Sequence, residues 1–294
     1  IKPYLYSLAM IDGASPCDQV LHVQRTYRLD NVQTWTPRNT NHRRIGEMVS
    51  IQWGLQNSDN WVTAELMSRT SPITFKRLLE SYGLRGPIEA TMAMSLGTPE
   101  ATVGEMVSGY TTFVNDGVRV DPVLVTQIED MHGNIVATFT PKMTEVLTAD
   151  AAHKMLYMLQ NVINGGTGGR LRSSFGLQMP LGGKTGTTQN NSDAWFMGFS
   201  PDLVAGCWVG GEERSIRFSS MAFGQGAAAA LPIFGKFMKK VYSDKTLGYL
   251  VGIPFQIPPG FSPCYDAGIG DDEAVEVFEG EPSESPESSP PIDF

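Results

Sequence analysis

Residues 182–200 read GGKTGTTQNNSDAWFMGFS and contain two segments with the composition of β-strands. Strand-like stretches at 181–188, 194–199 and 203–209 follow one another closely, with a Ser-Pro-Asp turn between the last two. Aromatic and β-branched side chains occur on both faces of these stretches, which predicts a sheet covered on both sides. Lys184 is an unusual residue for such a strand, so its charge needs a chemical explanation.

Helical patterns surround these strands in the sequence. We predict helices at 2–11, 99–114, 149–163 and 227–242, and several short helices within residues 45–95. The predicted fold class is therefore α/β (α+β). It consists of an antiparallel sheet with helices on both faces, plus an all-helical subdomain.

The helix predicted at 99–114 has the clearest boundary signals. Thr98 is the expected N-cap, and Pro99 is the expected first helical residue, where its missing N–H costs nothing. Residues 118–139 follow as a predicted hairpin that turns at residues 132–134.

The acidic charge of the chain is concentrated at one end. Residues 266–294 contain ten Asp or Glu and no Lys or Arg, so the formal charge of −9 becomes +1 for the remainder. We expect this Glu-, Ser- and Pro-rich tail to be disordered, and residues 1–265 to form the folded domain. A nearly neutral domain argues against a nucleic-acid partner, which would require a strong basic surplus.

The cysteines and histidines are few and widely spaced. Cys17, Cys207 and Cys264 show no Cys-x-x-Cys spacing, so we predict neither a disulfide framework nor a zinc site, and no cofactor. Cys207 lies in an apolar stretch and is expected to be buried. No stretch reaches the roughly 18 apolar residues of a membrane span. The first residues resemble a helix cut partway along its length, so we expect a fragment of a longer protein.

Residues 184–187 suggest a binding strand for a peptide with a free carboxylate. The charge of Lys184 and the hydroxyls of Thr185 and Thr187 could hold the carboxylate, while Gly186 would let a ligand lie against the backbone. The N–H of Thr187 could then point at a carbonyl oxygen. Such a short motif is weak evidence alone, because three-residue strings recur by chance.

Ser58-Asp59-Asn60 has two interpretations. It could be catalytic, or it could be an ordinary helix N-cap, for which Ser and Asn are both common. Lys2 followed by proline is equally uninformative in isolation. Together, however, Ser-x-x-Lys, Ser-Asp-Asn and Lys-Thr-Gly are the motif set of penicillin-binding proteins and class A β-lactamases.

The chain resembles the transpeptidase domain of the bifunctional class A penicillin-binding proteins over residues 1–242. The stretches that carry the resemblance are IKPYLYSLAM, SLGTPEATVGEMVSGYTTFVNDG, VINGGTGGRL, GGKTGTTQNNSDAWFMGFSPDLVAGCWVGG and GAAAALPIFGKFM. One departure matters: if Lys2 is the lysine of Ser-x-x-Lys, the nucleophilic serine precedes Ile1. Ser7 cannot replace it, because it follows the lysine instead of preceding it by one turn.

The resemblance implies a D,D-transpeptidase that cross-links peptidoglycan stem peptides through a serine acyl-enzyme. Lys2 would be the base, Ser58 would relay a proton to the leaving amine, and Asn60 would bind the substrate amide. Lys184 would attract the terminal carboxylate and orient Ser58, and its charge would lower the pKa of Lys2.

The same resemblance implies the partners and location of the parent protein. These are peptidoglycan stem peptides and β-lactam antibiotics, at the outer face of the bacterial cytoplasmic membrane, with a glycosyltransferase domain and a membrane anchor upstream. Two alternatives stay open: a non-catalytic scaffold of the same fold, or a carboxypeptidase or β-lactamase in which water replaces the acceptor amine.

Overall fold

A computed structural model describes residues 1–29, 32–213 and 215–264 of the chain. The acidic tail predicted at 266–294 lies outside these described residues. The α-helices are, in chain order, α1 (Lys2–Ile11), α2 (Ile51–Gln56), α3 (Asn60–Ser68), α4 (Pro72–Ser81), α5 (Val103–Thr111), α6 (Ala149–Gly165), α7 (Arg170–Ser173), α8 (Met221–Gly224), α9 (Gly226–Ala229) and α10 (Leu231–Ser243). The strands are β1 (Gln19–Leu21), β2 (Tyr27–Arg28), β3 (Thr34–Trp35), β4 (Met48–Ser50), β5 (Val118–Val120), β6 (Gln127–Glu129), β7 (Ile135–Thr138), β8 (Met143–Glu145), β9 (Gly182–Thr187), β10 (Asp193–Phe199) and β11 (Val204–Gly210).

The central sheet consists of the three strands predicted from residues 181–209. They are antiparallel in the order β11-β10-β9. Side chains of β10 alternate between two cores: Phe196 packs against Phe234 of α10, with ring centroids 4.8 Å apart, whereas Met197 and Phe199 join the core formed with α1, α5 and α6. The predicted sheet with helices on both faces is therefore confirmed.

Helix α1 passes through the larger core. Its apolar residues lie on nearly every side of the helix, as expected for a helix surrounded by protein. Tyr4 packs on Tyr82 with ring centroids 4.2 Å apart. Ser7 is fully buried, and its hydroxyl bonds Tyr4 O at 2.8 Å and the Tyr82 hydroxyl at 2.7 Å. Ser7 is therefore part of the core packing, in agreement with its exclusion as a nucleophile.

The predicted start of the helix at 99–114 is wrong by four residues. Helix α5 begins at Val103, and Thr102 caps it in place of Thr98. Glu105 N–H donates to Thr102 Oγ1 at 3.1 Å, and Thr102 N–H donates to Glu105 Oε2 at 2.8 Å. This capping box satisfies two N–H groups at once, which a helix starting at Pro99 could not do.

The predicted hairpin at 118–139 is also only partly correct. Strands β6 and β7 do form a hairpin, but β5 pairs with β8 instead of joining it. Pro122 explains the break, since it has no N–H to continue a strand ladder. A further strand, β4, lies at the start of the predicted helical subdomain and pairs with β1.

The predicted absence of a disulfide and the predicted burial of Cys207 are wrong. Cys17 and Cys264 form a disulfide with their Cα atoms 5.5 Å apart, although 247 positions separate them in sequence. Cys207 is half-buried and not fully buried. No helix within the described ranges is long and apolar enough to cross a membrane. Across the same ranges, no three His, Cys, Asp or Glu residues gather as a metal site would require.

Candidate active site

Helix α1 and the loop between α2 and α3 meet at the amino group of Lys2. Its Nζ donates to Ser58 O at 2.5 Å and to Asn60 Oδ1 at 2.6 Å. Longer contacts reach Asp59 O at 3.3 Å and Ser58 Oγ at 3.4 Å. The structure therefore brings Lys2 to two other predicted site residues, Ser58 and Asn60, that lie more than fifty positions from it in the sequence.

The Ser58-Asp59-Asn60 loop has an unusual backbone. Ser58 has φ +56°, in the left-handed region that non-glycine residues rarely adopt. Asp59 caps α3, since its Oδ1 accepts the N–H groups of Trp61 at 2.9 Å and Val62 at 3.0 Å. The motif does contain a helix N-cap, but the cap is Asp59 and not the Ser or Asn that the sequence suggested, and the flanking Ser58 and Asn60 contact Lys2.

The side chain of Lys2 has an unusually low pKa. Removal from water lowers the pKa of Lys2 to about 7, and the negative charge of Asp59 partly opposes this shift. A large fraction of Lys2 is then neutral near neutral pH. A neutral amine can accept a proton, which an ordinary surface lysine rarely does at that pH.

Lys184 lies on β9 with 4% of its surface exposed. Its Nζ donates to Thr185 O at 3.0 Å and lies 3.5 Å from Thr185 Oγ1. Burial lowers the pKa of Lys184 well below its usual value, and the charge of Lys2 lowers it further. Among the hydrogen bonds of the described residues, Lys184 contacts Thr185 and not Ser58, so its predicted contact with Ser58 is not formed in this state.

Strand β9 lies at the edge of the three-stranded sheet. Thr185 Oγ1 is 2.8 Å from Thr167 Oγ1, in the turn after α6. Thr187 Oγ1 accepts the N–H of Gly226 at 3.0 Å, and a Cβ at Gly226 would collide with the carbonyl oxygen of Gly186. Thr185, Gly186 and Thr187 were predicted from the sequence as binding residues. Thr167 and Gly226, which hydrogen-bond the hydroxyls of Thr185 and Thr187, were not predicted.

Two more residues at the site were not predicted. His22 and Asn39 lie beneath the α2–α3 loop and both contact the carboxylate of Asp59. They belong to a region, residues 14–44, whose sequence indicates only loop and short strands. A local pattern does not reveal that these side chains are buried at a site formed by later residues.

The family model of the penicillin binding protein transpeptidase domain matches residues 1–209. That range contains Lys2, Ser58, Asn60 and Lys184. The chain belongs to the penicillin-binding protein transpeptidase family. This result agrees with the resemblance inferred from the motifs.

Relatives and solved structures agree with this assignment. The chain is 28% identical over 252 residues to penicillin-binding protein 1A of Neisseria meningitidis serogroup A, covering 83% of this chain and 31% of the relative. It is 30% identical over 245 residues to penicillin-binding protein 1A of Aquifex aeolicus, covering 82% and 32%. The chain thus spans about a third of the length of these relatives. The fold is similar to that of penicillin-binding protein 1A from Haemophilus influenzae, with TM-score 0.77, 23% identity and coverage of 88% of this chain and 43% of that one.

Proposed function

We propose that this chain is the D,D-transpeptidase domain of a class A penicillin-binding protein that cross-links peptidoglycan stem peptides. The observation that carries the proposal is the position of Lys2 Nζ, 2.5 Å from Ser58 O and 2.6 Å from Asn60 Oδ1. A half-buried amine among the residues of a second motif is the arrangement that acyl transfer requires from a base and its proton relay.

The nucleophile in this proposal is a serine three residues before Lys2, a position outside the sequence given. It would lie one helical turn away on the same face as Lys2. Neutral Lys2 takes the hydroxyl proton while the serine oxygen attacks the carbonyl between the last two D-alanines. The tetrahedral intermediate then expels the terminal D-alanine, whose amine receives a proton through Ser58.

Substrate binding uses the edge of β9. An extended peptide would add to this edge as a further strand along Thr185, Gly186 and Thr187. A side chain at Gly186 would press on Trp195 of β10, with its Cβ 3.0 Å from that of Trp195, so glycine keeps this stretch of β9 close to β10. Its terminal carboxylate would meet Lys184 and the hydroxyls of Thr185 and Thr187, and the amide of Asn60 would bind a substrate carbonyl. The backbone N–H groups of Thr187 and of the serine would form the oxyanion hole, where one donor typically contributes about 3 kcal/mol.

The second half of the reaction restores the enzyme. The amine of a neighbouring stem peptide attacks the acyl-enzyme, so an amide bond forms and the serine regains its proton. A β-lactam would acylate the same serine through the same carboxylate contacts. A structure of PonA1 from Mycobacterium tuberculosis, 19% identical with TM-score 0.69, was solved in complex with penicillin V.

We place this reaction in the bacterial cell envelope, at the outer face of the cytoplasmic membrane. The disulfide between Cys17 and Cys264 supports that location, because disulfides persist in oxidising compartments outside the cytoplasm. In the proposal, membrane attachment comes from a segment outside this sequence.

Labelled penicillin tests the proposed function. The full-length protein should form a covalent adduct with labelled penicillin. The Lys2→Met variant should form this adduct more slowly by two or more orders of magnitude, roughly the contribution of a general base. The 294-residue chain alone should form none. A stable adduct on that chain would show that the nucleophile has been misplaced. If the full-length protein is not labelled, the scaffold alternative is correct, and if it releases the label rapidly to water, the hydrolase alternative is.

A further inference from the structure

A polar cluster of His22, Asp59 and Asn39 lies beneath the Ser58–Asn60 loop. His22 and Asp59 both have no exposed surface, and His22 Nε2 lies 2.9 Å from Asp59 Oδ2. Asn39 Nδ2 donates to the same oxygen at 2.6 Å and to Asn41 O at 3.0 Å. Buried polar groups of this kind are costly unless every member is satisfied.

The cluster satisfies its members almost completely. His22 Nδ1 lies 3.1 Å from the carbonyl oxygen of Arg44, so both ring nitrogens lie within hydrogen-bonding distance of an oxygen atom. Asp59 Oδ1 accepts the N–H groups of Trp61 and Val62, while Oδ2 accepts from His22 and Asn39. The carboxylate is thus fixed from four directions.

This cluster fixes the residues that contact Lys2. Asn39 Oδ1 accepts the N–H of Asn60 at 3.2 Å, and Asn60 Nδ2 donates to Arg38 O at 2.7 Å. These contacts leave Asn60 Oδ1 directed at Lys2 Nζ. They also hold the loop in which Ser58 adopts its left-handed backbone, a conformation that persists only where the surroundings enforce it.

We propose that His22, Asp59 and Asn39 are positioning residues for acylation, which hold Ser58 and Asn60 at the geometry that Lys2 requires. This inference rests on the proposed function. None of the three is placed to touch the substrate; they act through the Ser58–Asn60 loop.

The experiment compares penicillin acylation in four forms of the full-length protein. Asp59→Asn keeps the size of the side chain and its helix-capping oxygen but removes the charge that faces His22 and Asn39. Asn39→Ala removes the half-buried member of the cluster with less risk to folding. His153→Ala is the matched control, because His153 Nε2 forms the same kind of contact with Asp116, at 2.9 Å, away from the site.

We expect both cluster variants to lower the rate constant of acylation roughly tenfold to a hundredfold, as small displacements of catalytic groups do. The dissociation constant of the initial penicillin complex should change little, since Lys184 and Thr185 keep the carboxylate contacts. His153→Ala should acylate at the parent rate, even if its melting temperature falls.

The pH dependence of the acylation rate gives a second test, because a purely structural role of the cluster would not shift it. The charged groups that face Lys2 are Asp59, backed by His22, and Lys184, together with the amine of Ile1, which is an amide in any longer chain. Asp59 favours protonated Lys2, so Asp59→Asn should move the acid limb of the acylation rate to lower pH.

The outcomes are distinct. Failure of the unmodified full-length protein to react with penicillin contradicts the proposed function. A reactive parent whose Asp59→Asn and Asn39→Ala variants are folded and acylate at the parent rate contradicts the positioning role alone. If Asp59→Asn does not fold, Asn39→Ala decides between the same two results.

Discussion

Burial lowers the pKa of both Lys2 and Lys184, and the charge of Lys2 lowers that of Lys184 further. Their surroundings differ. Lys2 Nζ lies within hydrogen-bonding distance of four acceptor atoms of residues 58–60, whereas within the described residues Lys184 hydrogen-bonds only with Thr185. Lys184 therefore has unused donors that a substrate carboxylate could take. A bound anion would also favour the charged form of Lys184 and offset the cost of its burial.

The first prediction at the residue scale concerns Lys184. In the full-length protein, Lys184→Ala should slow acylation by penicillin roughly tenfold to a hundredfold, because a charge-assisted contact of about 1.5–3 kcal/mol is lost. Thr185→Val should have a smaller effect, since the charge remains and only a hydroxyl is removed. Stopped-flow measurement of acylation checks both. Parent-like acylation by folded Lys184→Ala would mean that this strand is structural.

At the scale of the element, two features of short segments set the geometry of the site. The edge position of β9 leaves its backbone available for a peptide. Gly226, which has no side chain, lets α9 lie directly against the backbone of Gly186. Helix α5 packs on β10 and β11, so the residue at which α5 begins also determines which of its side chains contact the sheet. The capping box of Thr102 and Glu105 determines that start.

The prediction for this element distinguishes the observed cap from the one expected from sequence. Thr102→Ala should destabilise the domain by about 1 kcal/mol, the typical cost of losing an N-cap. Thr98→Ala is the control, and as an exposed residue outside the helix it should change stability by less than about 0.5 kcal/mol. Denaturant unfolding of both variants measures the difference. A larger loss for Thr98→Ala would place the helix start at Pro99 after all.

At the scale of the whole molecule, the disulfide joins the loop after α1 to residue 264. The segment before Cys264 packs on the domain. The ring centroids of Phe261 and His153 are 5.5 Å apart, and those of Phe255 and Phe199 are 5.8 Å apart. Closing so long a stretch of chain restricts the unfolded state strongly. The bond thus stabilises the fold that carries Lys2 without touching the site.

The matching prediction is a loss of stability without a loss of chemistry. Cys17→Ser combined with Cys264→Ser should lower the free energy of unfolding by about 2–5 kcal/mol. Penicillin acylation well below the melting temperature should stay at the parent rate. Cys207→Ser is the control, since Cys207 is a free thiol. Calorimetry with and without reductant gives the comparison, and a melting temperature insensitive to reductant would show that the bond is not formed.

Local patterns predicted most elements and the pairing of strands adjacent in sequence, but missed the pairing of β5 with β8. The alternation in β9 to β11 and the helical period of α6 depend on neighbouring residues, so both were predicted within about two positions. The pairing of β5 with β8 was missed, because Pro122 interrupts a stretch that otherwise resembles one hairpin. The start of α5 was missed although its Thr-x-x-Glu signature is present in the sequence.

The sequence by itself determined the residue types and spacings of the site: Lys2, the Ser58–Asn60 motif and the Lys184–Thr187 strand. Each is a short local string, and their order identified the family. Only the tertiary structure brought Lys2 Nζ to Ser58 and Asn60 and placed His22 and Asn39 beneath that loop. Packing of distant segments decides such contacts, and no local period or spacing records which distant side chain will satisfy a buried carboxylate.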